Sequence, residues 1–495
     1  MNRVISKTRY CKGALCPKIL WMDEQMPMVA KKDDSSTTME QGILVGELAR
    51  EYFGEYSLVS RKPNYAAMVE ETGQMMEHGT TCIAEASFLY DGLFCSVDML
   101  RKTAFGYDII EVKSTTEVKD EHLVDVGFQY YVLQKSGIPI DHVYVMYLNN
   151  QYSRRGELDL RGLFVLDDCT ERAKVKQCSV EEDLRRIREA LLSEEEPDIE
   201  LDICCERPHE CAYFDYCKRD FPKPSVLDLR NLRDKKEKYE LYHRRIISFE
   251  DIIKQRPGLK DKPMMQVETA YYHRPPHIER KMIQQFLDTL TYPIYHLDFE
   301  SFQVVIPEYD DAKPYEQIPF QYSLHIEHED GTLEHKEYLA EAGKDPRREI
   351  SERLVQDIPA DACVLAYNMS FEKGRIKRLA ELNVDLSEHL MKIYGNIRDL
   401  MIPFYKQQYY SEAMQGSYSI KYVLPALFPD DPSLDYHNLD GVHNGTEASA
   451  AFVNMTKFPP EEVTKMRENL LKYCGLDTYA MVKVLGKLRE AVEKE

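Results

Sequence analysis

Three short motifs in the C-terminal half carry acidic side chains whose spacing suits divalent metal ions. In the first motif an aspartate and a glutamate alternate along an expected strand, so both carboxylates point to one face. The second ends in a glutamate that begins an expected helix, and the third places a tyrosine one helical turn before an aspartate. In this order the carboxylates predict a site for two metal ions, which hydrolyses phosphodiester bonds in many enzymes. The residues are Asp298, Glu300, Asn368, Glu372, Tyr473 and Asp477.

Each motif also has an ordinary structural explanation. Asp298 and Glu300 fit the outer face of an edge strand, and Glu372 fits a first helical turn, where the helix dipole favours an acid. In the metal-site interpretation Tyr473 orients a water molecule, and Asn368 contacts a substrate or caps the following helix. The order and distance of the three motifs along the chain favour the metal site.

A second group of ionisable side chains lies in the first half of the chain. Glu111 and Lys113 alternate on a predicted strand, and Asp98 ends the strand before it. The short link 101–107 lets these strands pair, which would bring two carboxylates and an ammonium group together. Carboxylates suit Mg²⁺ or Mn²⁺, Glu85 can complete the metal shell, and Lys113 can orient water or stabilise phosphoryl charge. The alternative is an exposed strand pair held by a salt bridge.

Four cysteines flank this second group and predict a cofactor that joins the two ends of a domain. One lies upstream, and three follow in a C-x5-C-x5-C run. Four thiolates hold either an iron–sulfur cluster or a zinc ion. The chain lacks the paired C-x2-C knuckles of many zinc sites, so the spacing favours a 4Fe-4S cluster, with zinc as the alternative. The predicted ligands are Cys16, Cys205, Cys211 and Cys217, with Cys11 and Cys204 as alternatives at the two ends.

The hydrophobic pattern predicts an α/β chain with two domains. Residues 82–165 indicate several strands around one helix, which covers 122–137. Residues 226–285 are polar and helical in pattern. From 292 onward strands return, with a hairpin turn at Glu329-Asp-Gly and then alternating helix and strand. The predicted domains are 1–222, a helical connector at 223–288, and 289–495.

Composition is typical of a soluble globular protein. The chain has 495 residues, 43% hydrophobic and 30% charged, and no apolar run approaches the ~20 residues of a membrane helix. The N-terminus lacks the apolar core of a signal peptide, which predicts a cytoplasmic protein without a membrane partner. The net charge of −21 argues against a general nucleic-acid coat, so a nuclease site would depend on bound cations and local basic groups. In that compartment the twelve cysteines do not indicate disulfides.

Residues 1–220 resemble the RecB-like PD-(D/E)XK nucleases that carry an iron–sulfur cluster, such as the small CRISPR-associated exonuclease and the AddB nuclease domain. The resemblance lies in the cysteine spacing, in the Asp…Glu-x-Lys pattern and in a Gln-Tyr pair on the following helix. It implies a restriction-endonuclease-like mixed sheet in which Asp98 and Glu111 bind metal and Lys113 is catalytic. The residues that it places near the substrate are Gln129 and Tyr130.

Residues 290–490 resemble the DEDD exonucleases of the RNase H-like fold, in the subgroup whose third motif contains tyrosine. The resemblance implies 3′→5′ exonuclease activity with two metal ions and with Tyr473 beside the attacking water. Glu372 stands where the family has aspartate, so Asp399 is a candidate substitute.

The joined halves, with Pro314-Tyr315 and the segment 318–323, look like an uncharacterised bacterial family that couples the two nuclease types. We therefore expect a metal-dependent DNA exonuclease, acting 3′→5′ in the C-terminal domain, with a second nuclease site in the N-terminal domain. Single-stranded DNA or DNA ends are the expected partner, because such a site admits a frayed strand. The resemblance also suggests a role in defence or DNA repair.

Two alternatives stay open on the sequence. In the first, one domain is catalytic and the other only grips nucleic acid. Its basis is Glu372 and the lack of a histidine in 40–56, where the RecB-like family often has one. In the second, the chain is a cluster-stabilised scaffold in a defence or repair complex and cleaves nothing. The sequence indicates no particular protein partner.

Overall fold

The computed structural model describes residues 4–31 and 36–493. Both parts of the chain combine a mixed β-sheet with helices, which confirms the α/β prediction. The predicted connector, 223–288, lies within the second of two compact units. The units are Met1–Asp220 with Val305–Tyr315, and Phe221–Val304 with Glu316–Glu495.

The first unit is built on one mixed sheet. Its strands are β1 (Ile5–Ser6), β2 (Ser57–Leu58), β3 (Cys82–Tyr90), β4 (Leu93–Lys102), β5 (Tyr107–Lys113), β6 (Ile140–Leu148) and β7 (Phe164–Asp168). The order is β2-β3-β4-β5-β6-β7, and β1 pairs with β4. The β3–β4, β4–β5 and β6–β7 pairs are antiparallel, whereas β1–β4, β2–β3 and β5–β6 are parallel.

Helices cover this sheet and complete its core. They are α1 (Lys7–Leu15), α2 (Pro17–Gln25), α3 (Ser36–Tyr52), α4 (Tyr65–Glu77), α5 (Asp120–Lys135), α6 (Leu160–Leu163), α7 (Thr170–Gln177), α8 (Val180–Leu192) and α9 (Phe214–Cys217). Helix α5 confirms the helix predicted at 122–137. Its Phe128 stacks on Tyr10 of α1, with 4.3 Å between ring centroids. The N-terminal helix is thereby packed against the centre of the unit.

A close approach of backbone fixes the hairpin between β4 and β5. Gly106 lies in the link between these strands, where a Cβ atom would overlap the carbonyl oxygen of Pro139. The N–H of Thr103 donates to Gly106 and that of Tyr107 to Pro139, both at 2.9 Å. The link is thus closed by its own hydrogen bond and fixed against the segment that leads into β6.

The segment Val305–Tyr315 belongs to the first unit although it follows a strand of the second. Val305 is buried in a core cluster with residues of α3, β4 and β5. Arg154 donates to a carbonyl of the segment at 2.9 Å, and the Tyr315 hydroxyl donates to the carbonyl of Ser114. Since Ser114 directly follows β5, the segment supports the end of that strand.

The second unit contains a sheet of order β11-β10-β9-β12-β13 and a separate β8–β14 pair. Its strands are β8 (His277–Ile278), β9 (Ile294–Gln303), β10 (Gln317–Glu327), β11 (Leu333–Leu339), β12 (Cys363–Ala366), β13 (Ile397–Asp399) and β14 (Tyr409–Tyr410). Strands β9, β10 and β11 form an antiparallel meander, and β12 and β13 continue it in parallel with β9. The predicted hairpin turn lies between β10 and β11.

The helices of the second unit surround this sheet. They are α10 (Lys236–His243), α11 (Phe249–Gln255), α12 (Asp261–Tyr272), α13 (Arg280–Leu287), α14 (Arg347–Asp357), α15 (Ser370–Leu382), α16 (Ser387–Asn396), α17 (Ile402–Tyr405), α18 (Ile420–Leu427), α19 (Gly445–Asn454) and α20 (Pro460–Glu493). The run α14, β12, α15 confirms the predicted alternation of helix and strand. In the described ranges, no helix has both the length and the apolar character needed to cross a bilayer.

Candidate metal centres

The first candidate site lies where β4 and β5 run side by side. Asp98 lies inside β4, so the prediction that it ends the strand is wrong; β4 pairs on both sides and continues to Lys102. The Oδ2 atom of Asp98 accepts the backbone N–H of Val112 at 2.7 Å. The predicted pairing of this strand with the strand of Glu111 and Lys113 is confirmed.

Glu111 is the centre of a buried hydrogen-bonded group. Its Oε1 atom accepts from Lys7 Nζ at 2.7 Å and from Lys113 Nζ at 2.8 Å, and its Oε2 atom accepts from Gln129 Nε2 at 2.5 Å. Lys113 also donates to Asp125. Sequence reasoning missed Lys7 and Asp125, because neither follows the strand alternation that identified the other residues.

The pKa values of Asp98 and Glu111 shift in opposite directions. Burial and then the charge of Glu111 raise the pKa of Asp98 to about 7. Burial acts the same way on Glu111, but Lys113 and Lys7 outweigh it and hold the pKa of Glu111 well below its ordinary value. Glu111 is therefore charged and paired near neutral pH, while Asp98 sits close to its own titration point.

Glu85 lies on β3 between two alanines whose partners on β4 flank Asp98. Its φ of +56° is rare for a residue with a side chain and marks a local strain. Burial raises the pKa of Glu85, against the charges of Arg50 and Lys7. Glu85 and Asp98 line the same clefts, as a shared metal shell would require.

Neighbouring residues on α5 have different surroundings. Gln129, which the resemblance places near the substrate, is fully buried against Glu111. Tyr130 is 7% exposed and packs in the hydrophobic core.

The cysteines predicted to bind a cofactor converge around one small cavity. Cys16 precedes α2 and lines this cavity together with Cys204, Cys205, Cys211 and Cys217. Burial raises the pKa of Cys16, Cys211 and Cys217, and the nearby Cys205 adds to the effect at each. Cysteines from the two ends of the first unit thus line the same cavity.

The second candidate site lies where β9 and α20 meet. Asp298 and Glu300 share one face of β9, and Asp477 projects from α20. One carboxylate oxygen of each lies within 4.8 Å of the others, a group that could hold a metal ion. On the opposite face of β9, Leu297 and Phe299 are buried in the core. The strand therefore presents its acids to one side only.

Burial and the closeness of the three carboxylates to one another disfavour their charged forms. Burial and the charge of Asp477 raise the pKa of Glu300 to about 8. Burial raises the pKa of Asp477 to about 7, opposed by a hydrogen bond from Tyr436 and the charge of Lys421. Burial, then the charges of Asp477 and Glu300, raise the pKa of Asp298 well above its ordinary value. A divalent cation would remove this repulsion.

Glu372 lies in the first turn of α15, beside the group of three rather than within it. Its Oε2 atom is buried without a hydrogen-bond partner among the described residues. Burial raises its pKa to about 8, opposed by a backbone hydrogen bond and reinforced by the charge of Asp399. Asp399 itself accepts the N–H groups of Asn368 and Met401, at 2.9 and 3.0 Å. Asp399 thus shapes the turn that leads into α15.

Two tyrosines, Tyr436 and Tyr473, lie close to Asp477. The hydroxyl that donates to Asp477, at 2.6 Å, belongs to Tyr436. Tyr473 is buried one turn earlier on α20, with its ring 6.0 Å from that of Tyr436. The sequence predicted Tyr473 alone, because Tyr436 lies in an irregular segment without a periodic pattern. Lys421 of α18, whose charge lowers the pKa of Asp477, was also missed, since no acidic motif lies beside it in the sequence.

A third acidic group combines Asp108, Asp141 and His142. The guanidinium of Arg101 already neutralises Asp108 with hydrogen bonds of 2.6 and 3.0 Å. Since Arg101 and Asp108 face each other across β4 and β5, we assign this group to holding the two strands together.

Comparison with known proteins gives two matches. A family described as a domain of unknown function (DUF2779) matches residues 295–419, which include Asp298, Glu300 and Glu372 but not Asp477. The chain is 27% identical over 225 residues to "Uncharacterized protein UU173" of Ureaplasma parvum serovar 3 (strain ATCC 700970). The alignment covers 40% of this chain and 31% of that relative, so the chain spans less than a third of the relative's length. No solved structure matches the chain.

Neutralising Asp298 should stabilise the protein when no divalent ion is added. The pKa values of Glu300 and Glu372, about 8, and of Asp477, about 7, exceed the ~4 of unfolded carboxyl groups. Their contribution to stability is therefore full below about pH 4 and is lost as the pH rises through those folded values. We expect Asp298→Asn to raise the Tm in EDTA near pH 8 by roughly 2–4 °C, measured by thermal unfolding.

Divalent metal ions should reverse this effect, so that the wild type becomes at least as stable as Asp298→Asn. Mn²⁺ should raise the Tm of the wild type more than that of Asp298→Asn, because the variant lacks a ligand. Asp361→Asn, in an exposed loop, is the matched control and should respond like the wild type. Equal stabilisation of wild type and Asp298→Asn by Mn²⁺ would contradict the assignment.

Tyr436→Phe should weaken metal binding at the second site. The lost hydrogen bond leaves Asp477 with a higher pKa and a less fixed orientation, which should lower Mn²⁺ affinity about 10-fold in calorimetric titration. Tyr473→Phe should leave this affinity nearly unchanged. Similar affinity losses in both variants would show that Tyr436 has no special part in positioning Asp477.

Proposed function

We propose that the protein is a metal-dependent nuclease that hydrolyses phosphodiester bonds, with a 3′→5′ DNA exonuclease site in the second unit. The observation that carries this proposal is the convergence of Asp298, Glu300 and Asp477 from two separate elements. Buried carboxylates with raised pKa values are costly unless a cation binds between them. Metal-dependent nucleases use such groups of carboxylates to hold their ions.

The sheet orders support the two nuclease folds suggested by the sequence. In the second unit, an antiparallel meander continued by parallel strands, with the first acidic motif on central β9, fits an RNase H-like fold. In the first unit, adjacent β4 and β5 carry the acidic pattern, and α5 leads to the parallel strand β6. This arrangement fits a PD-(D/E)XK fold.

At the second site, the three converging carboxylates and the nearby Glu372 would hold Mg²⁺ or Mn²⁺, hard cations that prefer oxygen ligands. When bound, these ions supply Lewis acidity to the phosphate oxygens. Tyr473 would orient the attacking water, and Tyr436 would hold Asp477 in place. The buried Oε2 atom of Glu372, which has no partner in the described chain, supports its part as a ligand.

At the first site, Asp98, Glu111 and Glu85 would hold a metal ion of the same kind. Lys113 would orient water or stabilise the charge that develops on the phosphate. Lys7 brings a second ammonium group to Glu111, at 2.7 Å. The substrate of both sites would be single-stranded DNA or a DNA end.

The cysteines would hold a 4Fe-4S cluster through Cys16, Cys205, Cys211 and Cys217. The preference for a cluster over zinc rests on the cysteine spacing in the sequence, which lacks paired C-x2-C motifs. Cys11 is not at this cavity; its thiol donates to Asp125 at 3.3 Å.

Cleavage of end-labelled single-stranded DNA and RNA tests the proposal. Anaerobically purified wild type should cut with Mg²⁺ or Mn²⁺, and Lys113→Ala and Asp298→Ala should each lose a different product by about 100-fold or more. Lys174→Ala and Asp361→Asn, both on exposed surface, are the matched controls. If only one of Lys113→Ala and Asp298→Ala abolishes all cleavage, the unit that carries it is the nuclease, and the remaining unit is a binding module. No cleavage by the wild type would favour a scaffold.

Elemental analysis tests the cofactor. The wild type should contain iron and acid-labile sulfide, and Cys217→Ser should lose both, because a cluster needs its fourth thiolate. Cys178→Ser is the control, since Cys178 is exposed and lies away from the cavity. Zinc in place of iron would favour the zinc alternative. Neither metal in the wild type would contradict the assignment.

A further inference from the structure

Two clefts of the first unit meet at its candidate metal site. The larger has a volume of about 520 Å³ and the smaller about 380 Å³. Arg50, Glu85 and Asp98 line both. A chain-like ligand lying in both clefts would therefore cross the carboxylates at their junction.

The larger cleft is basic, in a protein with a net charge of −21. Lys7, Arg50, Arg61 and Lys62 line it. Lys7 is engaged by Glu111, and Lys62 is paired with Glu71 at 2.7 Å. The two arginines are thus the groups best placed for an incoming anion, and their planar guanidinium groups match phosphate geometry.

The same cleft contains an aromatic platform. Tyr65, in the first turn of α4, stacks on Phe94 of β4 with 3.9 Å between ring centroids and 20° between planes. Phe94 is 7% exposed, whereas Tyr65 is 38% exposed. The buried ring therefore holds an exposed ring in a fixed orientation at the edge of the basic cleft.

The smaller cleft differs in character. Gly42 and Gly46 lie one turn apart on α3, and a Cβ atom at either position would meet nothing within 4 Å. Ile43 and Val112 supply apolar surface, and Lys113 lines the cleft beside the carboxylates. This side has room for a continuing strand.

The geometry points to the larger cleft as a docking site for the end of a single-stranded nucleic acid, with its terminal base on Tyr65 and its phosphates on Arg61 and Arg50. Stacking on aromatic rings beside basic groups is how proteins bind single strands, whose bases are free to stack. In a duplex those bases are paired and stacked on each other. The inference rests on the nuclease function proposed for the first unit and adds the residues that bind the end of its substrate.

Binding and cleavage together test this inference. A short oligo(dT) with a terminal iodouracil is bound to full-length protein in EDTA, crosslinked by light and mapped by mass spectrometry. The crosslink is expected in the peptide containing Tyr65. Tyr65→Ala should weaken binding, and raise the KM of Lys113-dependent cleavage, about 5- to 100-fold. Tyr65→Phe, which keeps the stacking surface, should bind like the wild type.

Matched controls separate this site from general effects. Tyr271, also 38% exposed, lies in the second unit, and Tyr271→Ala should bind normally. Arg61→Ala should weaken binding and lower its salt dependence by about one phosphate contact, whereas exposed Arg155→Ala should not.

The outcomes distinguish this inference from the proposed function. A Tyr65 crosslink and Tyr65-dependent binding without any cleavage would support the docking site and overturn the nuclease activity. Lys113-dependent cleavage with an unchanged KM in Tyr65→Ala and Arg61→Ala would overturn the docking site and leave the nuclease standing. A crosslink confined to other peptides would also overturn the docking site.

Discussion

Like charges buried together must be neutralised, and the arrangement of both units follows from that constraint. In the first unit Lys7 and Lys113 neutralise Glu111, so the short strand β1 and helix α1 are held against the centre of the sheet. In the second unit the charge of Lys421 reaches Glu300 and Asp477 but leaves their pKa values raised. Protons or divalent ions must supply the remainder. The first unit thus supplies lysines that neutralise its central carboxylate, whereas the second unit requires protons or divalent ions from solution.

Local patterns predicted the parts of the fold that short-range physics determines. The alternation of Asp298 and Glu300 placed both on one face of a strand, and the turn at Glu329 placed the hairpin correctly. The pairing of β4 with β5 followed from the short link between them. Asp98 was misplaced at a strand end, because the sequence does not show that β4 is paired on both sides.

Side chains that reach a site from distant segments could not be predicted in this way. Lys7 contacts Glu111 across 104 positions of sequence, and Tyr436 contacts Asp477 from an irregular segment. For helix α3 the helical spacing of Leu44, Leu48 and Phe53 points to one apolar face, yet Leu44 is 44% exposed and Val45 is buried instead. Helical periodicity identifies a helix well, but a shift of one position on its surface changes which residues meet the core.

The path of the chain has a consequence for dissecting the protein. Val305–Tyr315 belongs to the first unit but lies between β9 and β10 of the second. A fragment that ends at Asp220 would lose Val305 from its core and the support of Tyr315 at the end of β5. A fragment that begins at Phe221 would carry the same segment without the surface that covers it. Neither truncation yields a complete folding unit, so the two halves are separable by point substitution but not by cutting the gene.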